Sequence, residues 1–374
     1  MIDLQAVFNR FADPYLAAHG ATMPPSHRRA ITDILACRTQ ALGGQIWGCH
    51  HCGSEVHVHH SCRNRSCPTC HGDQTRAWLE KRQAELLPIP YFHVTVTLPK
   101  ELHAFIRRQQ REGYGALMNA AAKAIIDLGR DPRWLGGTVG VLAVLHSWTQ
   151  RLDFHPHVHC LATAGGLSKD GTTWHQADPT FLFPKAALAK RVARLFRHSL
   201  NTICPGMELP SKVWDQRWVV HIQPWGQGEQ AVLDYLARYA FRIAITNRRL
   251  IALDDTSVTF RYKDRKARRH KPCTLTGQEF MRRYLQHVLP RGFHKIRYFG
   301  LWHPSKRDQV DNLRRVLLLG QRHAPLPAAD PQNVEPEPQR PQVNQAPERR
   351  RCQQCQQGDL VFIRRLSPAW PRGP

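Results

Sequence analysis

Three histidines stand at alternate positions in the stretch Leu152-Asp153-Phe154-His155-Pro156-His157-Val158-His159-Cys160-Leu161. In a strand, side chains two apart project from one face, so His155, His157 and His159 share a side. Imidazole is the commonest side-chain metal ligand, and the pair His157 and His159 makes half of a divalent-cation site. Further along, Gln230 to Arg242 reads as an amphipathic helix with Tyr235 and Tyr239 at i and i+4, on one face. Alone, the histidines describe a strand exposed to water and the tyrosines a packed aromatic stripe. Together they suggest a divalent metal that polarises a phosphodiester and a tyrosine hydroxyl that attacks it. Two histidines hold a hard ion poorly, so a third, oxygen-bearing ligand is expected. Gln150, seven residues before His157, is the candidate, with Asp153 as the alternative and His155 tuning the site from outside. A phenol has an unperturbed pKa of about 10, so cations such as Arg238 and Arg242 would ease the attack.

The cysteines form a second constellation. Cys49-x-x-Cys52 and Cys67-x-x-Cys70 are separated by 14 residues, the spacing of two knuckles around one tetrahedral zinc. Cys37 and Cys62 are left over, as buried thiols or as members of another site, together with His57, His59, His60 and His71. Arg63, Arg65, Arg76, Lys81 and Arg82 surround the block, which suits a zinc module that grips DNA. Near the end, Cys352-x-x-Cys355 offers two thiols, too few for a zinc site. It is half a ribbon, a decayed module or a site completed elsewhere, and zinc is not expected there.

These motifs, in order, resemble the HUH endonucleases (His-hydrophobic-His) through His157-Val158-His159. More closely, they resemble the two-tyrosine rolling-circle transposases of bacterial insertion sequences of the insertion-sequence-ninety-one type. The phrases that carry the resemblance are Tyr91 through Pro99, His155 through Cys160, Tyr235 through Arg242 and His287 through Phe293, with the N-terminal cysteine cluster. It runs from about Cys37 to about Leu319. Phe241 departs from it, standing where such proteins often have histidine. The resemblance implies an α+β chain, with a small zinc-binding module followed by an HUH domain of antiparallel sheet flanked by helices. It also implies a 5′-phosphotyrosine intermediate with a free 3′-OH, Mg²⁺ or Mn²⁺ at the histidines, and two tyrosines acting in turn.

Composition limits the partners. With 53 Lys+Arg against 29 Asp+Glu, the net charge of +24 favours polyanions, nucleic acid first. Single-stranded DNA and element ends are the expected partners, contacted by Arg63, Arg65, Arg242, Lys266, Arg268 and Arg269; no membrane and no small-molecule substrate is expected. No apolar run approaches the roughly 20 residues of a spanning helix, and the start lacks a signal-peptide pattern. A cytoplasmic protein is expected, in which the 11 cysteines serve as ligands or buried thiols. The chain divides into a helical and zinc-binding module at 1–88, a catalytic domain at 89–322, and a Pro- and Gln-rich linker with its tail at 323–374. Pro325 to Pro347 has the composition of a disordered linker. Two other readings remain at this point: an HUH replication initiator or relaxase, and a non-catalytic zinc-dependent regulator that binds nucleic acid.

Overall fold

The computed structural model of the chain describes residues 2–70, 87–206, 211–236, 239, 243–264, 266–319 and 351–369. The expected linker at Pro325 to Pro347 lies outside them. Two helices come first, Leu4–His19 (α1) and Pro25–Leu35 (α2). Pro24 caps the second helix and Pro25 opens it. Proline is suited to that place, because a first-turn N–H has no intrahelical partner to lose. A ribbon follows, Gly44–Cys49 (β1) against Glu55–His59 (β2), and the tail strand Leu360–Leu366 (β13) pairs with the other edge of β1.

The site is carried by a five-stranded antiparallel sheet. Its strands are Pro90–Thr97 (β3), Gly140–Trp148 (β4), Phe154–Thr163 (β5), Val219–Gln227 (β8) and Ile296–Gly300 (β12), in the order β12-β4-β5-β3-β8. The short hairpin Gly165–Leu167 (β6) and Trp174–Gln176 (β7) follows β5. Alternation divides the sheet into two faces. Val94, Val96, Val141, Ala143, Val158 and Cys160 point into the main core. That core is closed by Gln110–Arg130 (α4) and Lys185–Ile203 (α5). Gln109 separates two helices here, leaving His103–Arg108 (α3) as a separate element before α4. Before β8, Lys212–Asp215 forms a short helix (α6).

The opposite face carries Tyr91, Leu142, Val144 and Leu161, packed under Gly228–Tyr235 (α7) and Arg307–Leu318 (α9). His93, His146, His157 and His159 have the same strand parity, so they lie on this face too. A third core joins distant parts of the chain. It packs α1, α2 and the cysteines at 37, 62, 67 and 70 against the sheet Leu250–Leu253 (β9), Ser257–Asp264 (β10) and Arg269–Thr276 (β11), and against Gly277–Leu285 (α8). The expected 1–88 module and the expected catalytic region therefore share buried side chains. Among the described residues, no helix is long and apolar enough to cross a membrane.

Candidate active site and metal clusters

Strands β4 and β5 form a hairpin whose register sets His146 opposite His157 and Val144 opposite His159. Because side chains alternate, His146, His157 and His159 converge, and one ring nitrogen from each lies within 4.8 Å of the others. His146 and His159 are buried and His157 is half-buried, so the nest opens beside His157. The His157 Nδ1–H donates to the His155 carbonyl at 2.7 Å, which leaves Nε2 with the lone pair. His159 Nδ1 lies 2.9 Å from His93 Nε2, and the Gln223 amide lies 3.4 Å from His93 Nδ1. In the tautomer with its proton on Nδ1, His159 would offer Nε2 to a cation, and the outer partners fix the ring. The three donors suit a divalent ion with open positions.

The third nitrogen of this group comes from His146. Gln150 lies in the turn beyond β4, four residues past His146, and its backbone carbonyl accepts from Arg249. At 3.3 Å per residue that is on the order of 10 Å along the hairpin, away from His159. Asp153 also belongs to the turn, accepting from the Thr149 hydroxyl and pairing with Arg283 at 2.7 Å. His155 lies near His103, with ring centroids 6.0 Å apart.

The two tyrosines take different places. The Tyr239 ring lies over the nest, its centroid 4.2 Å from that of His159 and 4.7 Å from that of His93. The His146 Nε2 meets the Tyr239 carbonyl at 2.8 Å. Tyr235 is fully buried, and its hydroxyl donates to the backbone carbonyl of His159 at 2.8 Å. Burial first, then neighbouring Cys160, pushes its phenol well above the ordinary range. Tyr239 therefore stacks on the histidine rings, while the Tyr235 hydroxyl is held by the backbone of β5. The two rings remain neighbours, their centroids 5.2 Å apart, and Leu236 and Tyr239 have π-helical backbone. Arg238 and Arg242 lie outside the described residues.

The cysteines sort into two sets among the described residues: Cys37, Cys62, Cys67 and Cys70, and Cys49, Cys52, Cys352 and Cys355. The expected set of Cys49, Cys52, Cys67 and Cys70 is divided between them. Most of the sequence between the pairs is spent on the ribbon, whose five-residue arm spans about 17 Å. Cys49 and Cys52 are at its tip, and Cys37 and Cys62 are at its base. In the basal set, Cys37 Sγ is 3.4 Å from Cys70 Sγ and 3.7 Å from Cys67 Sγ, and Cys62 Sγ is 3.5 Å from Cys70 Sγ. Four Zn–S bonds of about 2.3 Å make a tetrahedron with edges of about 3.8 Å, so the basal set fits zinc.

The expected nucleic-acid contacts also separate. Lys266, Arg268 and Arg269 are exposed at the tip of the β10–β11 hairpin, and Arg63 is exposed beside the basal cysteines. Arg65 is instead spent internally. Its guanidinium donates to the carbonyls of Leu289, Pro290 and Phe293, fastening the cysteine loop to the segment after α8. That segment begins with His287, buried between the Ser147 hydroxyl and the Leu152 carbonyl, where burial lowers its pKa to about 3. His146 was within reach of sequence reasoning: a hairpin centred on Arg151 and Leu152 sets it opposite His157. The roles of His93 and Gln223 depend on the order of strands across the sheet, which no local pattern carries.

Comparison with known proteins agrees with this arrangement. Residues 140–309 match the family described as "Putative transposase", and residues 7–98 match the "Transposase zinc-binding domain". The chain is 37% identical over 378 residues to the "Putative transposase y4qJ" of Sinorhizobium fredii, covering 96% of this chain and 94% of that one. It is 29% identical over 290 residues to the transposase for insertion sequence element IS801 of Pseudomonas savastanoi pv. phaseolicola, covering 72% and 68% of the two chains. No solved structure matches the chain. With both families matched in order and a relative aligned over nearly its full length, the chain belongs to the transposases of the insertion-sequence-ninety-one type.

Proposed function

We propose that this transposase nicks and joins single DNA strands at the ends of an insertion sequence, through a 5′-phosphotyrosine intermediate, in a rolling-circle-like route. The observation that carries this reading is the Tyr239 ring lying on a nest of three histidines whose ring nitrogens are within 4.8 Å of one another. A divalent ion held by His146, His157 and His159 would polarise a non-bridging oxygen of the scissile phosphate. The Tyr239 phenol oxygen then attacks phosphorus and loses its proton to solvent. The new O–P bond forms as the bond to the 3′-oxygen breaks, and that oxygen takes up a proton to leave a free 3′-OH. The phosphotyrosine keeps the phosphodiester's bond energy, so attack by another 3′-OH rejoins the strand. Tyr235 serves a second cleavage only after its hydroxyl leaves the His159 carbonyl, which requires the tyrosine helix to shift. An all-imidazole donor set favours Mn²⁺ over the harder Mg²⁺. The net charge of +24 and the exposed tip of Lys266, Arg268 and Arg269 supply phosphate contacts.

The test is to incubate the protein with labelled single-stranded DNA of the element ends and Mn²⁺ or Mg²⁺, and to look for a covalent adduct. The proposal expects an adduct that is lost in His157→Ala and His159→Ala while DNA binding persists. Unchanged cleavage in both variants would remove the histidine nest from the mechanism.

A further inference from the structure

The tail cysteines lie outside the residues that match the zinc-binding family, which end at 98. We propose that Cys49, Cys52, Cys352 and Cys355 hold a second structural zinc, which clips the C-terminal tail onto the N-terminal ribbon. The sulfur positions carry the first part of the argument. Cys49 Sγ is 3.7 Å from Cys355 Sγ, and Cys52 Sγ is 3.8 Å from Cys352 Sγ. These are the edges of a tetrahedron built on zinc–sulfur bonds of about 2.3 Å, and are far from the roughly 2.05 Å of a disulfide.

The two loops are also built alike. In the first, the Gly53 N–H donates to the Cys49 carbonyl at 3.0 Å, with Gly53 at φ +70°. In the second, the Gln356 N–H donates to the Cys352 carbonyl at 2.9 Å, with Gln356 at φ +57°. Each loop turns a backbone N–H toward a sulfur: His51 N–H toward Cys49 Sγ at 3.4 Å, and Gly358 N–H toward Cys355 Sγ at 3.5 Å. N–H groups aimed at sulfur favour the thiolate, which is the form that binds metal.

Independent contacts bring the halves together. Strand β13 pairs with β1 in antiparallel register from Cys49 opposite Leu360 to Gly44 opposite Leu366. The Asp359 N–H donates to His50 Nδ1 at 3.0 Å, and the His50 N–H donates to the Asp359 carbonyl at 3.3 Å. Gly358 has no room for a side chain, since a Cβ there would lie 2.5 Å from Cys49 Sγ. A tail that merely hung from the chain would need neither this glycine nor the matched loops. The ion would close the chain between Cys52 and Cys352 into a loop, so that the end of the protein helps fold its beginning.

Metal analysis of the full chain should give two zinc ions per chain, and the Cys352→Ser, Cys355→Ser double variant should give one. With cobalt(II) in place of zinc, the thiolate-to-metal absorption should fall by half in that variant. A second measurement keeps all the cysteines: a protease site is placed between residues 325 and 347, with an affinity tag on the C-terminus. After cutting, the tail should stay with the body in the zinc-loaded protein and separate in the double variant. One zinc in both proteins, a tail that leaves the zinc-loaded body, or a tail that stays bound in the double variant would each overturn the proposal. So would thiol titration showing a disulfide among the four cysteines. None of these readouts depends on strand cleavage, so their failure is distinct from failure of the tyrosine mechanism.

Discussion

Replacing Tyr235 by Phe removes one hydroxyl from the dry side of the sheet and leaves the ring in place. That hydroxyl donates to the His159 carbonyl at 2.8 Å and lies 3.4 Å from the Leu142 carbonyl. Losing a buried hydrogen bond costs about 1 kcal/mol net, and up to about 3 kcal/mol when the partner is left unsatisfied. His159 is in register with Thr95 on one side and Val144 on the other, so its backbone retains sheet partners and the lower figure applies. For a chain of 374 residues, about 1 kcal/mol corresponds to a fall of roughly 1–2 °C in Tm. Tyr239→Phe keeps the ring on the histidines, and its cost should stay within about 0.5 kcal/mol. The assay is a thermal melt of both variants beside adduct formation on a labelled single strand. Tyr235→Phe should melt lower and keep the first adduct, and Tyr239→Phe should melt normally and lose it. A Tyr235→Phe protein that melts like the parent and forms no adduct would refute this assignment of roles.

His146→Ala should weaken Mn²⁺ binding at least 10-fold, read by electron paramagnetic resonance titration, whereas Gln150→Ala should leave it unchanged. Neutralising Lys266, Arg268 and Arg269 together should flatten the slope of log affinity for single-stranded DNA against log salt by about 2, with no change in fold. Stability should fall as pH drops below 6.5, because unfolded His287 takes up a proton that the folded chain refuses until about pH 3. His27, lowered to about 4 by burial, adds to the same slope. Burial lowers His103 as well, and each contributes up to about 1.4 kcal/mol per pH unit, so His287→Asn should remove no more than that from the dependence between pH 6 and 5 in chemical denaturation, where carboxylates remain charged.

Elements with a period of their own were legible in the chain. Tyr91 to Leu98 and His155 to Leu161 alternate as strands do, and Leu188, Val192, Leu195 and Phe196 have the spacing of one face of α5. The pair His157 and His159 was legible for the same reason, since one strand fixes both side chains. What escaped depends on contacts between distant segments. The Gln150 expectation rested on separation along the chain, while hairpin register selected His146. The cysteine assignment assumed that neighbouring pairs share an ion, but a strand leading away from the base separates them, and the partner of Cys49 and Cys52 lies 300 residues on from Cys52. Arg65 looked like a phosphate contact because composition gives charge but not burial, and three carbonyls claim its guanidinium. Tyr235 and Tyr239 are neighbours, their ring centroids 5.2 Å apart, but residue spacing does not convey that the His159 carbonyl takes the Tyr235 hydroxyl.

The most direct measurement is to map the covalent bond itself. The protein is incubated with Mn²⁺ and a single-stranded oligonucleotide bearing an element end, digested, and its DNA-linked peptide sequenced by mass spectrometry. The account predicts a phosphodiester from the 5′-phosphate to the oxygen of Tyr239, lost in Tyr239→Phe and in His146→Ala. An adduct on another side chain, or one that persists when both Tyr235 and Tyr239 are Phe, would contradict it.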